Sequence, residues 1–128
     1  MTTQEIAARL VELCRQDQYE QAQRELYAAN AKSIEPAHSQ GLQTVEGLDN
    51  IFKKGEDFQG MIEQVHSGYV SDPIVAGNYF TVGMGMDVTM KGMGRMNMDE
   101  VAVYHVQDGK IVSEQFFYWC EAISRRSW

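Results

Sequence analysis

The stretch LYAANAKSIEP, residues Leu26 to Pro36, gives the first indication of the fold of this chain. Ser33 and Ile34 form a short extended run that leads through Glu35 into Pro36. The residue before a proline is pushed away from helical geometry, so we expect Glu35 at the end of a strand with its backbone direction fixed. A carboxylate beside a hydrophobic interior can shuttle protons when burial raises its pKa. The alternative for such a residue is a solvated loop acid before a turn.

Length and charge restrict the classes of protein that this chain can belong to. Its 128 residues suffice for one domain with a single core, and residues 121–128 are expected to be a flexible tail. A formal net charge of −7 argues against a nucleic acid or an anionic membrane as partner, because phosphate groups would be repelled. No apolar run approaches the roughly 20 residues that span a bilayer, and the N-terminus lacks the regions of a signal peptide. Cys14 and Cys120 show no CxxC spacing. We therefore expect a soluble cytoplasmic protein.

The first half of the chain carries the patterns of three helices. Residues 2–5, TTQE, have the spacing of a capping box, and apolar residues then recur at helical intervals. Residues 17–20, DQYE, repeat this start signal and predict a second helix through Tyr27. Thr44 is expected to cap a third helix, whose apolar face would consist of Leu48, Ile51, Phe52 and Phe58.

From Met61 onward the pattern changes to strands. Asp108-Gly109 is the strongest local signal, because this pair supplies the positive φ angles of a two-residue type I′ hairpin turn. The chain therefore predicts an α+β domain with three N-terminal helices on one face of a mainly antiparallel sheet. The predicted strands are Ile62–Val70, Asn78–Lys91, Met96–Val106 and Ile111–Cys120.

The hairpin turn also predicts which side chains share a face of the sheet. It pairs Val106 with Ile111 and, further along, Val103 with Glu114, and opposed residues lie on the same face. Glu114 would then be a lone acid on the apolar face under the helices, either in a pocket or in a salt bridge at the rim. That face would carry Phe80, Val82, Met84, Met86, Val88, Val101, Val103, Val112, Phe116 and Tyr118.

The opposite face of the predicted sheet is aromatic and carries two acids. Asp87 and Glu100 would oppose each other directly. They would either share a proton or, as we favour, form ion pairs with Lys91 and Arg95 across a dimer contact. The aromatic side chains favour a homodimer formed through the sheet: Tyr104, Phe117 and Trp119.

The chain resembles the SnoaL-like and ketosteroid-isomerase-like group in three features: the stretch YAANAKSIEPA, the amphipathic helix that follows it, and four strands that end in DGKIVSEQFFY. The resemblance covers Ile6 to Tyr118, and its finer signature is similar to a bacterial SnoaL-like subgroup. It implies the cystatin-like, cone-shaped fold shared with nuclear transport factor two, with a strongly bent sheet around a pocket. By this resemblance, the general base of the isomerases falls on Glu35. Their two oxyanion donors fall on Val11 and near Ala102, which cannot donate a hydrogen bond.

The resemblance implies a small-molecule pocket protein and leaves two kinds of function open. An enzyme of this type, ketosteroid-isomerase-like or polyketide-cyclase-like, would be a cofactor-independent isomerase, cyclase or hydratase that transfers protons on a small hydrophobic carbonyl compound. Glu35 is then the candidate base, with Glu114, Tyr118 and His66 as candidate polar partners. The candidate substrate-binding residues are Phe52, Val82, Met84, Met86, Val103 and Phe116. The alternative is a non-catalytic ligand-binding or dimerisation domain, because a fold does not determine a function.

Neither a metal nor a nucleotide is expected. His38, His66 and His105 lie too far apart in the sequence to form a recognisable metal motif. No GxGxxG opens a helix, so a dinucleotide site is not predicted. His66 has a second interpretation, as a strand histidine whose hydrogen bonds are satisfied.

Overall fold

The computed structural model describes residues 1–39 and 41–118, and these residues form three helices and seven strands. The helices are α1 (Thr3–Arg15), α2 (Tyr19–Leu26) and α3 (Leu48–Met61). The strands are β1 (Tyr27–Ile34), β2 (Val45–Glu46), β3 (Ile62–Val70), β4 (Ile74–Ala76), β5 (Tyr79–Met90), β6 (Gly94–Gln107) and β7 (Lys110–Phe117). The expectations for Trp119, Cys120 and the tail at 121–128 lie outside the described residues.

The strands form one mainly antiparallel sheet in the order β2-β1-β7-β6-β5-β3, with β4 also paired to β5. β1 and β7 run parallel, and this pairing places Ser33 beside Glu114. The predicted α+β class is confirmed. The prediction of three N-terminal helices is wrong, because α3 follows β1 and β2 in the chain. The second helix ends at Leu26 rather than at Tyr27, and residues 27–34 form a full strand against β7.

The three helix starts differ in how well the sequence predicted them. The capping box of α1 is confirmed: Thr2 Oγ1 accepts from the backbone N–H of Glu5 at 3.1 Å, and Glu5 Oε1 accepts from that of Thr2 at 2.8 Å. α2 begins without a side-chain cap, and Gly47 rather than Thr44 precedes α3. Thr44 Oγ1 instead accepts a hydrogen bond from the backbone N–H of Glu35 at 2.9 Å. The predicted caps of α2 and α3 are therefore wrong.

The hairpin between β6 and β7 has the predicted turn. Asp108 and Gly109 have φ angles of 53° and 75°, as a type I′ turn requires. Val106 opposes Ile111, so the register next to the turn is also as predicted.

A β-bulge then changes the register of this hairpin. The pairing shifts between His105 and Val106, and beyond the shift Tyr104 rather than Val103 opposes Glu114. The shift passes over Val112, so β7 contributes one residue more than β6 at the bulge, and all pairings beyond it move by one residue. Because side chains alternate along a strand, β6 presents the face opposite to the predicted one. The predicted inner positions of β5 and those of Glu114 and Phe116 in β7 stand, whereas the predicted face of β6 is wrong.

The inner face, the side of the sheet that packs under the helices, is defined by the observed pairing. Phe80 opposes Tyr104 and Met84 opposes Glu100 across β5 and β6. The predicted opposition of Asp87 and Glu100 is wrong, because Asp87 opposes Asn97 on the outer face. The inner face carries Phe80, Val82, Met84, Met86, Val88, Glu100, Ala102, Tyr104, Glu114 and Phe116.

The core lies between this inner face and the apolar side of α1. Its α1 members, all at most 5% exposed, are Ile6, Ala7, Leu10, Val11 and Cys14. Removing these side chains from water supplies the main force that holds the helix on the sheet.

Across residues 1–39 and 41–118, none of the helices combines the length and the apolar character that crossing a membrane requires.

Candidate functional site

Glu35 follows the last residue of β1, and its side chain is only 4% exposed. Its Oε2 lies 2.6 Å from Lys54 Nζ, and its Oε1 accepts a hydrogen bond from the Tyr118 hydroxyl at 2.6 Å. Thr44 fixes the backbone of the same residue. A carboxylate has about four lone-pair sites, so two remain after these contacts. The structure therefore excludes a solvated loop acid and presents an oriented, buried carboxylate.

Lys54 is the partner of Glu35 that sequence reasoning missed. It lies one helical turn after Ile51 and one turn before Phe58, so it interrupts the apolar stripe of α3. Its side chain is 10% exposed, and its Nζ lies 5.6 Å from the centre of the Phe116 ring. A lysine inside an apolar helical stripe was the available signal. Nothing local in the sequence indicated which acid it would meet.

Glu114 is a second buried carboxylate, 4% exposed, on the inner face. Its Oε1 accepts a hydrogen bond from the Tyr27 hydroxyl, and its Oε2 accepts one from Ser33 Oγ at 2.6 Å. Burial raises the pKa of Glu114, and the hydrogen bonds from Ser33 and Tyr27 and the charge of Lys54 partly offset this rise. Of the two interpretations of Glu114, the structure therefore supports an interior acid rather than a salt bridge at the sheet rim.

Glu100 is a carboxylate on the inner face that was predicted on the outer face, because the predicted register was wrong. The bulge turns it to the inner face, where it opposes Met84. Burial raises the pKa of Glu100 to about 7, and the negative charges of Glu35 and Glu114 act in the same direction. A carboxyl group with such a pKa is about half protonated at neutral pH, so it can either accept or donate a proton.

Two tyrosines complete the polar cluster around these acids. The Tyr118 hydroxyl contacts Glu35 and also lies 2.9 Å from Ser39 Oγ. Burial and the hydrogen bond to Glu35 raise the pKa of Tyr118, so this hydroxyl stays a donor at neutral pH. Tyr104, predicted on the outer face, is 2% exposed and stacks on Phe80 with ring centres 4.7 Å apart. The bulge is the reason for this difference.

The predicted binding residues divide into two groups. Four of them lie on the inner face, namely Val82, Met84, Met86 and Phe116. Val103 lies on the outer face opposite Gln115, because of the bulge, and Phe52 packs under the Arg24 guanidinium at 4.4 Å. The structure does not bring these last two to the carboxylates.

His66 is not part of the carboxylate cluster either. Its Nε2 lies 2.7 Å from Thr89 Oγ1, and three strands separate its strand, β3, from β1 in the sheet. This contact supports the interpretation of His66 as a satisfied strand histidine. In the part of the chain that the structure describes, no three His, Cys, Asp or Glu side chains are arranged to hold a metal ion.

A groove of about 330 Å³ lies beside Lys54, which forms part of its wall. Pockets for small molecules start near this volume. Because Lys54 lines the groove and contacts Glu35, it connects the groove with the buried carboxylates. The groove is lined by Gly41, Leu42, Gln43, Val45, Asn50, Lys53, Lys54, Asp57 and Met61.

The chain is thus an α+β domain whose sheet carries buried acids on its inner face, with a groove beside them. The family model described as the SnoaL-like domain matches residues 1–118, and the chain belongs to this family. The resemblance stated from the sequence is thereby confirmed. No protein among those with curated descriptions matches the chain.

Solved structures with the same fold extend this comparison. A protein from Mesorhizobium loti, provisionally named a SnoaL-like polyketide cyclase with "carbohydrate phosphatase" in brackets, is 34% identical with a TM-score of 0.85, covering 92% of this chain and 100% of its own. A Catenulispora acidiphila DSM 44928 protein with a ketosteroid-isomerase-like fold, in complex with trimethylamine, is 21% identical with a TM-score of 0.68, covering 98% and 94%. TerC, co-crystallised with polyporic acid, is 15% identical with a TM-score of 0.73, covering 98% and 97%. At these identities the last two show the fold alone.

Proposed function

We propose that this chain binds a small hydrophobic carbonyl compound and transfers a proton on it without a cofactor. The observation that carries the proposal is the Glu35 carboxylate, 4% exposed, with one oxygen on Lys54 Nζ and the other on the Tyr118 hydroxyl. Membership of the SnoaL-like family supports a small-molecule function. The name polyketide cyclase, carried by the Mesorhizobium loti protein, and the organic molecules named with the two more distant structures agree with a small-molecule function.

The proton transfer begins at Glu35. Its carboxylate removes a proton from a carbon next to the carbonyl group, so that a C–H bond breaks and an O–H bond forms on the carboxylate. The electron pair moves to the carbonyl oxygen and gives an enolate. Returning the proton to a different carbon yields the isomer. Tyr118 orients Glu35 through its hydrogen bond to Oε1.

The enolate oxygen needs a hydrogen-bond donor, because stabilising this developing charge is usually the largest catalytic contribution. Val11 and Ala102, where the resemblance placed the donors of the isomerases, are buried hydrocarbon side chains. Lys54 and the protonated form of Glu100 are the groups near Glu35 that can take this role.

Hydrogen–deuterium exchange tests the proposal without knowledge of the natural substrate. The probes are 2-tetralone and a hydrophobic 1,3-diketone in D₂O, and ¹H NMR follows the loss of the signals of the hydrogens next to the carbonyl group. We expect the protein to accelerate this loss over buffer, and Glu35→Gln to reduce the acceleration by about 10²-fold or more. Glu63→Gln, at an exposed position of β3, is the matched control and should leave the rate unchanged.

Two results would contradict proton transfer by Glu35. One is exchange in Glu35→Gln at the rate of the unchanged protein. The other is binding of the probes without exchange above the buffer rate, which would favour the non-catalytic ligand-binding alternative.

The outer face supports a second proposal, that two copies associate through the sheet. Large apolar side chains lie exposed on neighbouring strands of this face, with Tyr69 54% and Phe117 50% exposed. Exposed apolar patches of this kind mark interaction surfaces. Sedimentation equilibrium should give the mass of two chains, and Phe117→Asp should give the mass of one. A single-chain mass for the unchanged protein would contradict the dimer. The exposed set is Tyr69, Tyr79, Val101 and Phe117.

A further inference from the structure

Lys54 has a hydrogen-bond donor that its neighbours do not use. An ammonium group carries three N–H donors. One meets Glu35 Oε2 at 2.6 Å and a second makes a long contact of 3.4 Å with the carbonyl oxygen of Ser33. Within residues 1–39 and 41–118, no oxygen or nitrogen atom accepts the third, and Nζ also lies 5.6 Å from the centre of the Phe116 ring. Lys54 lines the groove and its side chain is 10% exposed, so a molecule bound there lies against this side chain.

The charges around the groove favour a negatively charged occupant. Its lining has two cations, Lys53 and Lys54, and one acid, Asp57, in a chain whose net charge is −7. Behind Lys54 lie the inner carboxylates, and burial raises the pKa of both Glu100 and Glu114. Glu100, with a pKa of about 7, therefore carries less negative charge at neutral pH than a surface acid does. Glu35 is the acid in direct contact with the ammonium group.

We propose that the groove binds an organic anion, a carboxylate or the enolate of an acidic carbonyl compound, and that Lys54 Nζ holds its charged oxygen. The inference rests on the proposed function, because it names the substrate class for the same site. A charge-assisted hydrogen bond to Nζ would add affinity and orientation beyond apolar contact. The negative charges of the ligand and of Glu35 would lie close to each other at the same ammonium group and repel, so removing the charge of Glu35 would strengthen binding of the anion.

The test uses two probes of nearly the same shape, 2-naphthoate and 2-naphthamide, which differ in charge. Isothermal titration at neutral pH and low salt measures both affinities. We expect the unchanged protein to prefer the carboxylate by about tenfold. Lys54→Met keeps the length of the side chain without its charge and should reduce this preference to about one. Lys91→Met, at an exposed position in the turn between β5 and β6, is the matched control and should retain the preference.

Glu35→Gln gives the sharper result, because it removes the negative charge beside Lys54 Nζ and leaves Lys54 in place. Naphthoate should bind this variant about tenfold more tightly than it binds the unchanged protein, with little change for naphthamide. If Lys54→Met does not fold, the double variant Lys54→Met/Glu35→Gln removes both charges and should also lack the preference. A merely structural role of Lys54 would produce neither the gain in Glu35→Gln nor the loss in these variants.

Three outcomes would overturn the inference: equal affinity of the unchanged protein for both probes, no binding of either, or a preference that survives Lys54→Met. The exchange assay at Glu35 fails or succeeds separately. Absence of exchange together with a Lys54-dependent preference would reject proton transfer and retain the anion site. Exchange without a preference for naphthoate would retain proton transfer and reject the anion site.

Discussion

Replacing Glu100 by glutamine should stabilise the protein at alkaline pH and do so less as the pH falls. Burial raises the pKa of Glu100 from 4.5 to about 7, so the folded chain keeps a proton that the unfolded chain releases. The stability linked to this proton is fully present below the unfolded pKa and is lost as the pH rises through the folded pKa. At about 1.36 kcal/mol for each pKa unit, the complete loss is on the order of 3 kcal/mol.

Urea denaturation between about pH 5.5 and pH 8.5 measures this effect as the difference in unfolding free energy between Glu100→Gln and the unchanged protein. Within this range the linkage relation gives a rise in the advantage of the variant of about 2 kcal/mol. Glutamine does not titrate, so the pH dependence arises from Glu100 in the unchanged protein. The same scan of Glu63→Gln, on the exposed part of β3, should show a nearly constant difference.

Parallel profiles of stability against pH for Glu100→Gln and the unchanged protein would refute this reasoning. They would mean that Glu100 titrates alike in the folded and unfolded chain, which contradicts its burial beside the other two acids. If the advantage of Glu100→Gln in unfolding free energy became smaller as the pH rose, the sign of the predicted pH dependence would be reversed. That result would point to a partner that stabilises the ionised carboxylate.

Urea denaturation also tests three further features: the ion pair of Lys54 with Glu35, the hydrogen bond of Tyr27 to Glu114, and the turn at Gly109. Lys54→Met should cost about 3–5 kcal/mol, because it leaves the buried Glu35 carboxylate without its counter-ion, and Lys54→Met/Glu35→Gln should recover most of that loss. Equal losses in both variants would contradict the ion-pair argument. Tyr27→Phe should cost about 1–3 kcal/mol, since Glu114 loses one of its two hydroxyl donors, and an unchanged midpoint would count against that hydrogen bond. Gly109→Ala should cost about 1–2 kcal/mol at a φ of 75°, and a neutral effect would be inconsistent with the type I′ turn.

Features that depend on neighbouring residues could be predicted from the sequence. The capping box at Thr2 and the type I′ turn at Asp108-Gly109 are confirmed, because each is encoded within four residues. The α+β class and the SnoaL-like family are also confirmed, because the class follows from the apolar pattern within each segment and the family from the motifs YAANAKSIEPA and DGKIVSEQFFY. The extended end of β1 at Glu35 was also predicted, from the proline that follows it.

The composition of the site was decided by contacts between distant parts of the chain. One bulge at Val112 in β7 shifted the register so that Glu100 and Tyr104 lie on the inner face and Val103 on the outer face, and no local pattern marks where such a bulge falls. The pairing of Lys54 with Glu35 arises only once α3 lies over the sheet. Strand register and long-range ion pairs depend on the free energy of the assembled core and on exclusion of water. A sequence read one segment at a time does not contain these quantities, and the tertiary structure supplies them.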